Sequence, residues 1–265
     1  MPEPAKLSIH LLCMHGKDRD AYLRAAGAGS ASGGPPPFAR DVTIHECALA
    51  QLPASVRFDA VVSPANSYGR LDGAFDDALS RALSPADDYL ALTRAAQAVL
   101  YREHRGWANP GSCTRVALPP AFAARSRNVW GVRHLLLCPT MRVPDDVTWD
   151  REIVYQCVWN MLCAIDRHNR EVAGRRPGGS SHGGGEGTGD EDDDAIRSVL
   201  MTPLATGVGR VSEDVWAAQL LLALRHFDLA VRNPDEFAAL DVDRILTLDS
   251  EIQATYEVNL RNGRT

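Results

Sequence analysis

The sequence predicts an α/β fold built on a mostly parallel sheet, and three observations support the prediction. Short apolar segments typical of strands alternate along the chain with segments of helical periodicity. Two of the strand–helix connections are rich in glycine and polar residues. The 265 residues are enough for one large domain whose core needs no disulfide or metal. Because helices then cover both faces of the sheet, we expect ligands to bind beyond the carboxyl ends of the strands.

Six segments are candidate strands, since each is short, apolar and bounded by polar or turn-forming residues. The clearest is "FDAVVSP" at 58–64, which Pro64 ends because proline cannot donate to a ladder. The others are residues 7–14, 42–49, 114–120 and 133–141, and a strand that begins at Ile196.

Four segments have the periodicity of helices. The most distinct is 148–168, where a wide apolar stripe must pack against a sheet. A second helix is expected to begin near Asp72, and a third to span 85–104 with Pro85 in its first turn. A fourth is expected over 213–227 with Ser212 as its N-cap.

The domain organisation follows from composition. We expect one α/β domain over residues 1–228, with flexible insertions at 27–37 and 173–195. Their glycine, proline, serine and acidic residues cannot bury enough apolar surface to offset the entropy of ordering. Weak helical patterns indicate a C-terminal helical extension over 229–265.

Charge and cysteine usage exclude several classes of protein. With 28 basic and 34 acidic residues the net charge is −6, which argues against nucleic acid as a partner. The six cysteines lack CxxC spacing and are expected to be reduced thiols of an intracellular protein. No secretion signal and no apolar run of about 18 residues is seen, so we expect a cytoplasmic or nuclear protein without membrane contact.

The first connection of interest is "SPANSYGRLDG", residues 63–73, here called the asparagine loop. Asn66 carries donor and acceptor groups for a sugar diol or a water, or it forms an Asx turn. Asp72 precedes a helix whose dipole favours the carboxylate, which suits orienting water or accepting a proton; helix capping is the alternative. Asp76 and Asp77 are expected on the solvated face of that helix.

The second connection is "PLATGVGRVS", residues 203–212, here called the glycine loop. Gly207 and Gly209 allow successive backbone N–H groups to approach an anion closely. The loop matches neither a P-loop nor a dinucleotide fingerprint. Because Glu213 and Asp214 occupy the positive end of the next helix, we expect a diphosphate on the loop amides of 206–210 instead. Arg210 adds charge there or is an ordinary surface residue.

Other chemistries find little support in the sequence. The chain has no G-x-S-x-G serine motif, and its eight histidines show no HExxH spacing. His134, at the start of an apolar strand, is expected to be structural. We expect no metal site.

The two loops together resemble the macrodomain family over roughly residues 40–228. In "FDAVVSPANSYGRLDGAFDDALSRAL", Asn66 matches the family's sugar-binding asparagine, and Asp72 matches the acid of its D-G-A-[IF] element. In "VLMTPLATGVGRVSEDVWAAQLLLAL", residues 206–209 match the loop whose backbone clasps a diphosphate. The resemblance implies a three-layer α/β/α fold with a mixed, mostly parallel sheet, and ADP-ribose or ADP-ribosylated protein as partner.

Three departures from the family pattern are visible. Between Asn66 and Asp72 stands "SYGRL", where family hydrolases usually carry three or four glycines. The acid that commonly reads the adenine amine is represented by Glu46, slightly out of register. No clear strand follows the helix that is expected to end near Phe227.

The resemblance leaves two functions open: hydrolysis of ADP-ribosylated protein or ADP-ribose 1″-phosphate, and non-catalytic reading of ADP-ribose. A different phosphorylated ligand, or a purely structural domain, is a third possibility. We expect no cofactor and a monomer. The resemblance implies catalytic roles for Asp72 and Asn66, and ligand contacts from Ala65, Asn66, Tyr68, Gly73, Thr206, Gly207, Val208, Gly209, Arg210 and Glu46.

Overall fold

A computed structural model of the chain describes residues 7–29, 42–175 and 194–256. Most of the two predicted insertions, at 30–37 and 176–193, and the last nine residues of the predicted extension lie outside the described residues. None of the described helices is both long and apolar enough to cross a membrane.

Six strands form one sheet of order β2-β1-β6-β3-β5-β4. Every neighbouring pair is parallel except β4 and β5, which are antiparallel. This is the mixed, mostly parallel sheet that the sequence and the family resemblance predict. The strands are β1 Ser8–Leu12, β2 Val42–His45, β3 Ala60–Ser63, β4 Thr114–Ala117, β5 His134–Leu137 and β6 Ser198–Met201.

Helices cover both faces of the sheet. One hydrophobic cluster joins the sheet to α1, α5 and α6, and a second joins the opposite face to α2 and α3. Successive residues serve opposite clusters, as Val61 and Val62 do in β3, because side chains alternate along a strand. The three-layer architecture is therefore confirmed. The helices are α1 Gly16–Gly29, α2 Ala74–Leu83, α3 Ala91–His104, α4 Pro120–Ala123, α5 Ile153–Gly174, α6 Glu213–Arg232, α7 Pro234–Phe237 and α8 Val242–Gln253; a 3₁₀ turn spans Leu49–Gln51.

The N-terminal part of the chain forms the two strands on one side of β6. β1 lies between β2 and β6 and is parallel to both. After α6 the described chain continues as α7 and α8, with no further strand. This explains why no last strand is visible in the sequence. Helix α1 is not predicted from the sequence; it buries Ala21, Tyr22 and Asp18 but leaves Leu23 about half exposed, so its apolar pattern is weak.

Two helices begin later than predicted, and local hydrogen bonds explain both differences. Residues 85–90 form turns, and the Ala86 amide donates to the Arg125 carbonyl at 2.8 Å, so α3 begins at Ala91. Before α5, Asp146 Oδ1 accepts from the Thr148 amide at 2.9 Å. Such side-chain acceptors compete with helical bonding, and α5 begins only at Ile153.

The cysteines are only partly the core residues that their apolar neighbours predict. All six are free thiols, and Cys13, Cys138 and Cys157 are buried. Burial raises the pKa of Cys13 to about 12, which makes it a poor nucleophile near neutral pH.

Candidate functional site

A cleft of about 410 Å³ lies at the carboxyl ends of four neighbouring parallel strands, β1, β6, β3 and β5. The loop after each of these strands contributes to its lining, with residues drawn from 14–18, 202–213, 64–76 and 140–144. The asparagine loop and the glycine loop therefore meet in one cleft, because β3 and β6 are adjacent and parallel.

The connection from β5 to α5 braces both loops. The Thr140 amide donates to the Ala65 carbonyl at 3.0 Å, and the Val147 amide donates to the Gly209 carbonyl at 3.0 Å. This third loop, which the sequence analysis did not assign to the site, holds the other two at a fixed separation.

The side chain of Asn66 organises the asparagine loop. Its Oδ1 accepts from the amides of Tyr68 at 3.1 Å and Arg70 at 3.3 Å, and its Nδ2 donates to the Arg70 carbonyl at 2.7 Å. The contact to Tyr68 is the Asx turn considered for this residue. Asn66 also lines the cleft, so one side chain both shapes the loop and faces the cavity.

Asp72 lines the cleft as an ion-paired carboxylate. Arg70 Nε lies 2.6 Å from Asp72 Oδ2. The N-cap of α2 is Gly73, without a side-chain cap, so the capping role considered for Asp72 is wrong. The Asp72 side chain is 38% exposed, so a ligand or a water can reach it.

The prediction that Asp76 lies on the solvated face of α2 is wrong. It is buried, lines the cleft, and accepts a hydrogen bond at Oδ1 from the hydroxyl of Ser63 at 2.6 Å. Its position, three residues before the buried Leu79, places it on the inward face of α2. Burial raises the pKa of Asp76 to about 7; the Ser63 hydrogen bond opposes this shift and the charge of Asp72 adds to it.

The glycine loop contributes unpartnered backbone donors to residues that line the cleft. The amides of Gly207, Val208 and Gly209 donate to no acceptor among the described residues, while these three residues line the cleft. Ala205 and Arg210, on either side of them, have positive φ of 60° and 58°. Such backbone conformations cost free energy and are frequent at binding sites. Unpartnered amides in such a turn are a candidate nest for an anion.

Cations from α1 neutralise the acids at the start of α6. Lys17 Nζ lies 2.5 Å from Glu213 Oε1, and Arg24 Nη2 lies 2.6 Å from Asp214 Oδ1. Ser212 caps α6 as predicted, its Oγ accepting from the Val215 amide at 3.2 Å. Lys17 and Glu213 line the cleft, so the two acids do not leave an uncompensated negative charge beside the glycine loop.

Three residues of the predicted site are not among the described residues that line the cleft: Glu46, Tyr68 and Arg210. Glu46 pairs with Arg19 at 2.7 Å. Arg210 Nη1 lies 3.7 Å from Asp146 Oδ2, with most of its side chain exposed. Tyr68 is partly exposed beside Arg142, whose Nε lies 3.4 Å from the Tyr68 hydroxyl.

No protein-family model and no curated protein matches the chain. The chain is similar to macrodomains of solved structure.

Three such structures illustrate the similarity. The Oceanobacillus iheyensis macrodomain with ADP is 16% identical with a TM-score of 0.42, covering 64% of this chain and 70% of that one. A mutant of that macrodomain with ADPR is 15% identical with a TM-score of 0.43, covering 64% and 71%. The Oryza sativa APL macrodomain in complex with ADP-ribose is 15% identical with a TM-score of 0.32, covering 52% and 80%. A similarity this distant assigns neither ligand nor activity, which must be argued from this chain's own cleft.

A second polar cluster lies at the amino ends of the strands, on the side of the sheet away from the cleft, where His134 begins β5. His134 Nε2 lies 3.1 Å from Asp194 Oδ1, and His168 Nε2 lies 3.5 Å from Asp194 Oδ2. Ligand atoms of the three residues lie within 4.8 Å of one another, a spacing compatible with a metal ion. However, Arg115 Nη1 lies 3.2 Å from His134 Nδ1. A guanidinium only donates, so Nδ1 accepts and the proton of neutral His134 sits on Nε2, where a metal would need a lone pair. The cluster is therefore a hydrogen-bonded anchor for the start of β6.

Proposed function

We propose that the cleft binds ADP-ribose derivatives and hydrolyses the bond between the distal ribose and its substituent. The observation that carries the proposal is the convergence of the asparagine loop and the glycine loop on one cleft of about 410 Å³. A volume of this order suits a nucleotide-sized ligand.

Binding is assigned to backbone and side-chain groups on both sides of the cleft. The free amides of Gly207, Val208 and Gly209 suit a diphosphate, which accepts charge-assisted hydrogen bonds. Lys17, in the first turn of α1, adds positive charge. The amide of Asn66, whose Nδ2 has a second proton beyond the one donated to Arg70, is assigned to the distal ribose.

Asp72 is assigned the role of orienting water. Its carboxylate is accessible, and the Arg70 contact holds it in a defined position. From there it accepts a proton from the water that attacks the distal ribose, while the substituent leaves with the bonding electron pair. Holding the water and the scissile bond in register is the main contribution expected of such a site.

The alternative is a reader that binds ADP-ribose without chemistry. The absence of a glycine run between Asn66 and Asp72 favours it, since Arg70 and Leu71 make this loop bulkier. Both functions use the same glycine loop, so measured product formation separates them.

The test is incubation of the purified protein with ADP-ribose, its 1″-phosphate and ADP-ribosylated protein, with calorimetric binding and product analysis. The hydrolase predicts products, and Asp72→Ala should lower the rate by on the order of 100-fold or more at unchanged affinity. Asp77→Ala is a matched control, because Asp77 is an outward-facing acid paired with Arg81 at 2.7 Å. Binding without products on long incubation would support the reader, and full turnover by Asp72→Ala would refute the catalytic assignment.

A further inference from the structure

We propose that Asp76 is the proton donor of the cleft and forms an acid–base pair with Asp72, an inference that rests on the proposed hydrolysis. No motif points to Asp76, and the arrangement is visible only in the folded chain.

The two carboxyl groups have contrasting environments. Asp72 is accessible and paired with the guanidinium of Arg70. Asp76 is buried, 7% exposed, and faces no cation within ion-pair distance among the described residues. A buried carboxyl without a cation is more stable in its protonated form, and burial raises the pKa of Asp76 to about 7. Two acids in such contrasting environments, one favoured as the carboxylate and the other as the neutral acid, are the usual basis of acid–base catalysis near neutral pH.

The hydrogen bonds of Asp76 place its proton on the cleft side. The Ser63 hydroxyl donates to Oδ1, so Oδ1 acts as an acceptor. Oδ2 accepts no hydrogen bond from the described part of the chain, and it is not among the fully buried unpartnered atoms. We therefore assign the proton to Oδ2, which is not fully buried in a residue that lines the cleft.

The proposed step balances atoms and protons. The oxygen of a water forms a bond to the distal ribose carbon, and the bond from that carbon to the substituent oxygen breaks. Asp76 gives its proton to the leaving oxygen, and Asp72 takes a proton from the water. Exchange with solvent afterwards restores both groups.

Other charged groups also face the cleft and enter the pH dependence. They are His15 from the β1–α1 loop, Lys17 and Asp18 from the first turn of α1, Arg70 and Asp72 from the asparagine loop, and Glu213 from α6. Lys17 pairs with Glu213, and Arg70 with Asp72. Asp18 is the closest rival to Asp76, because it is buried and burial raises its pKa as well.

Calorimetry of ADP-ribose binding near pH 7, in buffers of different ionisation enthalpy, tests the proton directly and needs no turnover. An anion entering the cleft favours the protonated carboxyl, so the wild type should take up a substantial fraction of one proton. Asp76→Asn, which keeps the size of the side chain, should abolish this uptake. Asp18→Asn and the outward-facing control Asp77→Asn should retain it.

Turnover gives the second test. The wild-type rate should fall about tenfold per pH unit above pH 7, and Asp76→Asn should be at least about 100-fold slower and independent of pH in that range. Ser63→Ala removes a hydrogen bond that lowers the pKa of Asp76, so it should shift the descending limb to higher pH. This second variant tests the inference even if Asp76→Asn folds poorly.

The outcomes separate the two proposals. A wild type that binds none of the ADP-ribose compounds refutes the proposed function. Normal binding and turnover, with the same proton uptake and pH profile in Asp76→Asn, refutes the role of Asp76 and leaves the function intact. Loss of uptake in Asp18→Asn instead of Asp76→Asn refutes it as well.

Discussion

Two glycines of the glycine loop should respond differently to alanine, because one is packed against the protein and the other borders open space. A Cβ on Gly209 would lie 2.6 Å from the Ala205 carbonyl oxygen and 2.9 Å from Val147 Cγ2. A Cβ on Gly207 would meet nothing within 4 Å. Gly209→Ala therefore requires a backbone shift, whereas Gly207→Ala does not.

The magnitude follows from the cost of overpacking. Contacts below 3.0 Å are essentially never seen for a real Cβ, so the loop must move by several tenths of an ångström. Strain of this kind costs about 1–3 kcal/mol. In a domain of this size each kcal/mol lowers Tm by about 2–4 °C, so Gly209→Ala should melt roughly 2–12 °C below the wild type. Gly207→Ala should change the unfolding free energy by less than about 0.5 kcal/mol.

Ligand binding provides a second way to distinguish the roles of Gly207 and Gly209. The added methyl of Gly207→Ala stands beside the free amides in the cleft, so we expect affinity for ADP-ribose to fall about tenfold or more, a loss of about 1.4 kcal/mol. Thermal unfolding and calorimetry on both variants measure these effects, with the exposed helical Gly27→Ala as a control that keeps wild-type affinity. A wild-type Tm for Gly209→Ala would refute the packing argument, and wild-type affinity of a folded Gly207→Ala would refute the diphosphate assignment.

Two further predictions concern charge. Lys17→Gln should weaken ADP-ribose binding about tenfold because a charge-assisted contact is lost, yet it should lower the free energy of unfolding by less than about 1 kcal/mol. Arg24→Gln is the control, since Arg24 lies in the same helix but does not line the cleft, and it should bind normally. Equal affinities of the wild type and both variants would contradict the role of Lys17. Burial lowers the pKa of His134 from 6.5 to about 4, although the negative charge of Asp194 opposes the shift. As the pH falls, the unfolded chain therefore binds a proton at this histidine before the folded chain does. The free energy of unfolding of the wild type should fall by up to about 3 kcal/mol between pH 6.5 and pH 4. Denaturant titrations across that range should show a shallower loss for His134→Gln, and parallel pH profiles would show that His134 does not contribute.

Local patterns explain why so much of the fold can be predicted. Strand β3 is a run of apolar residues that Pro64 terminates, and α5 presents a continuous apolar stripe. Each of these signals is written within about 20 residues of chain. The same holds for the two loops, whose asparagine, aspartate and glycines are recognisable without knowledge of their neighbours.

The sheet order has no comparable local signal. β1 pairs with β6 across about 190 residues of sequence, and this pairing carries Lys17 and Asp18 into the cleft. The sequence predicts a solvent-exposed Asp76, because charged helix residues are usually exposed. Its burial depends on Ser63 from β3 and on the inward face of α2, which the packing of α2 on the sheet selects.

The sequence alone thus determined most of the alternation of strands and helices and the position of the two loops, because each depends on residues close together in the chain. The tertiary structure decided which loops are neighbours, which acids are paired and which is buried. Those properties depend on the order of strands in the sheet and on exclusion of water by distant segments, and the pKa of Asp76 follows from them.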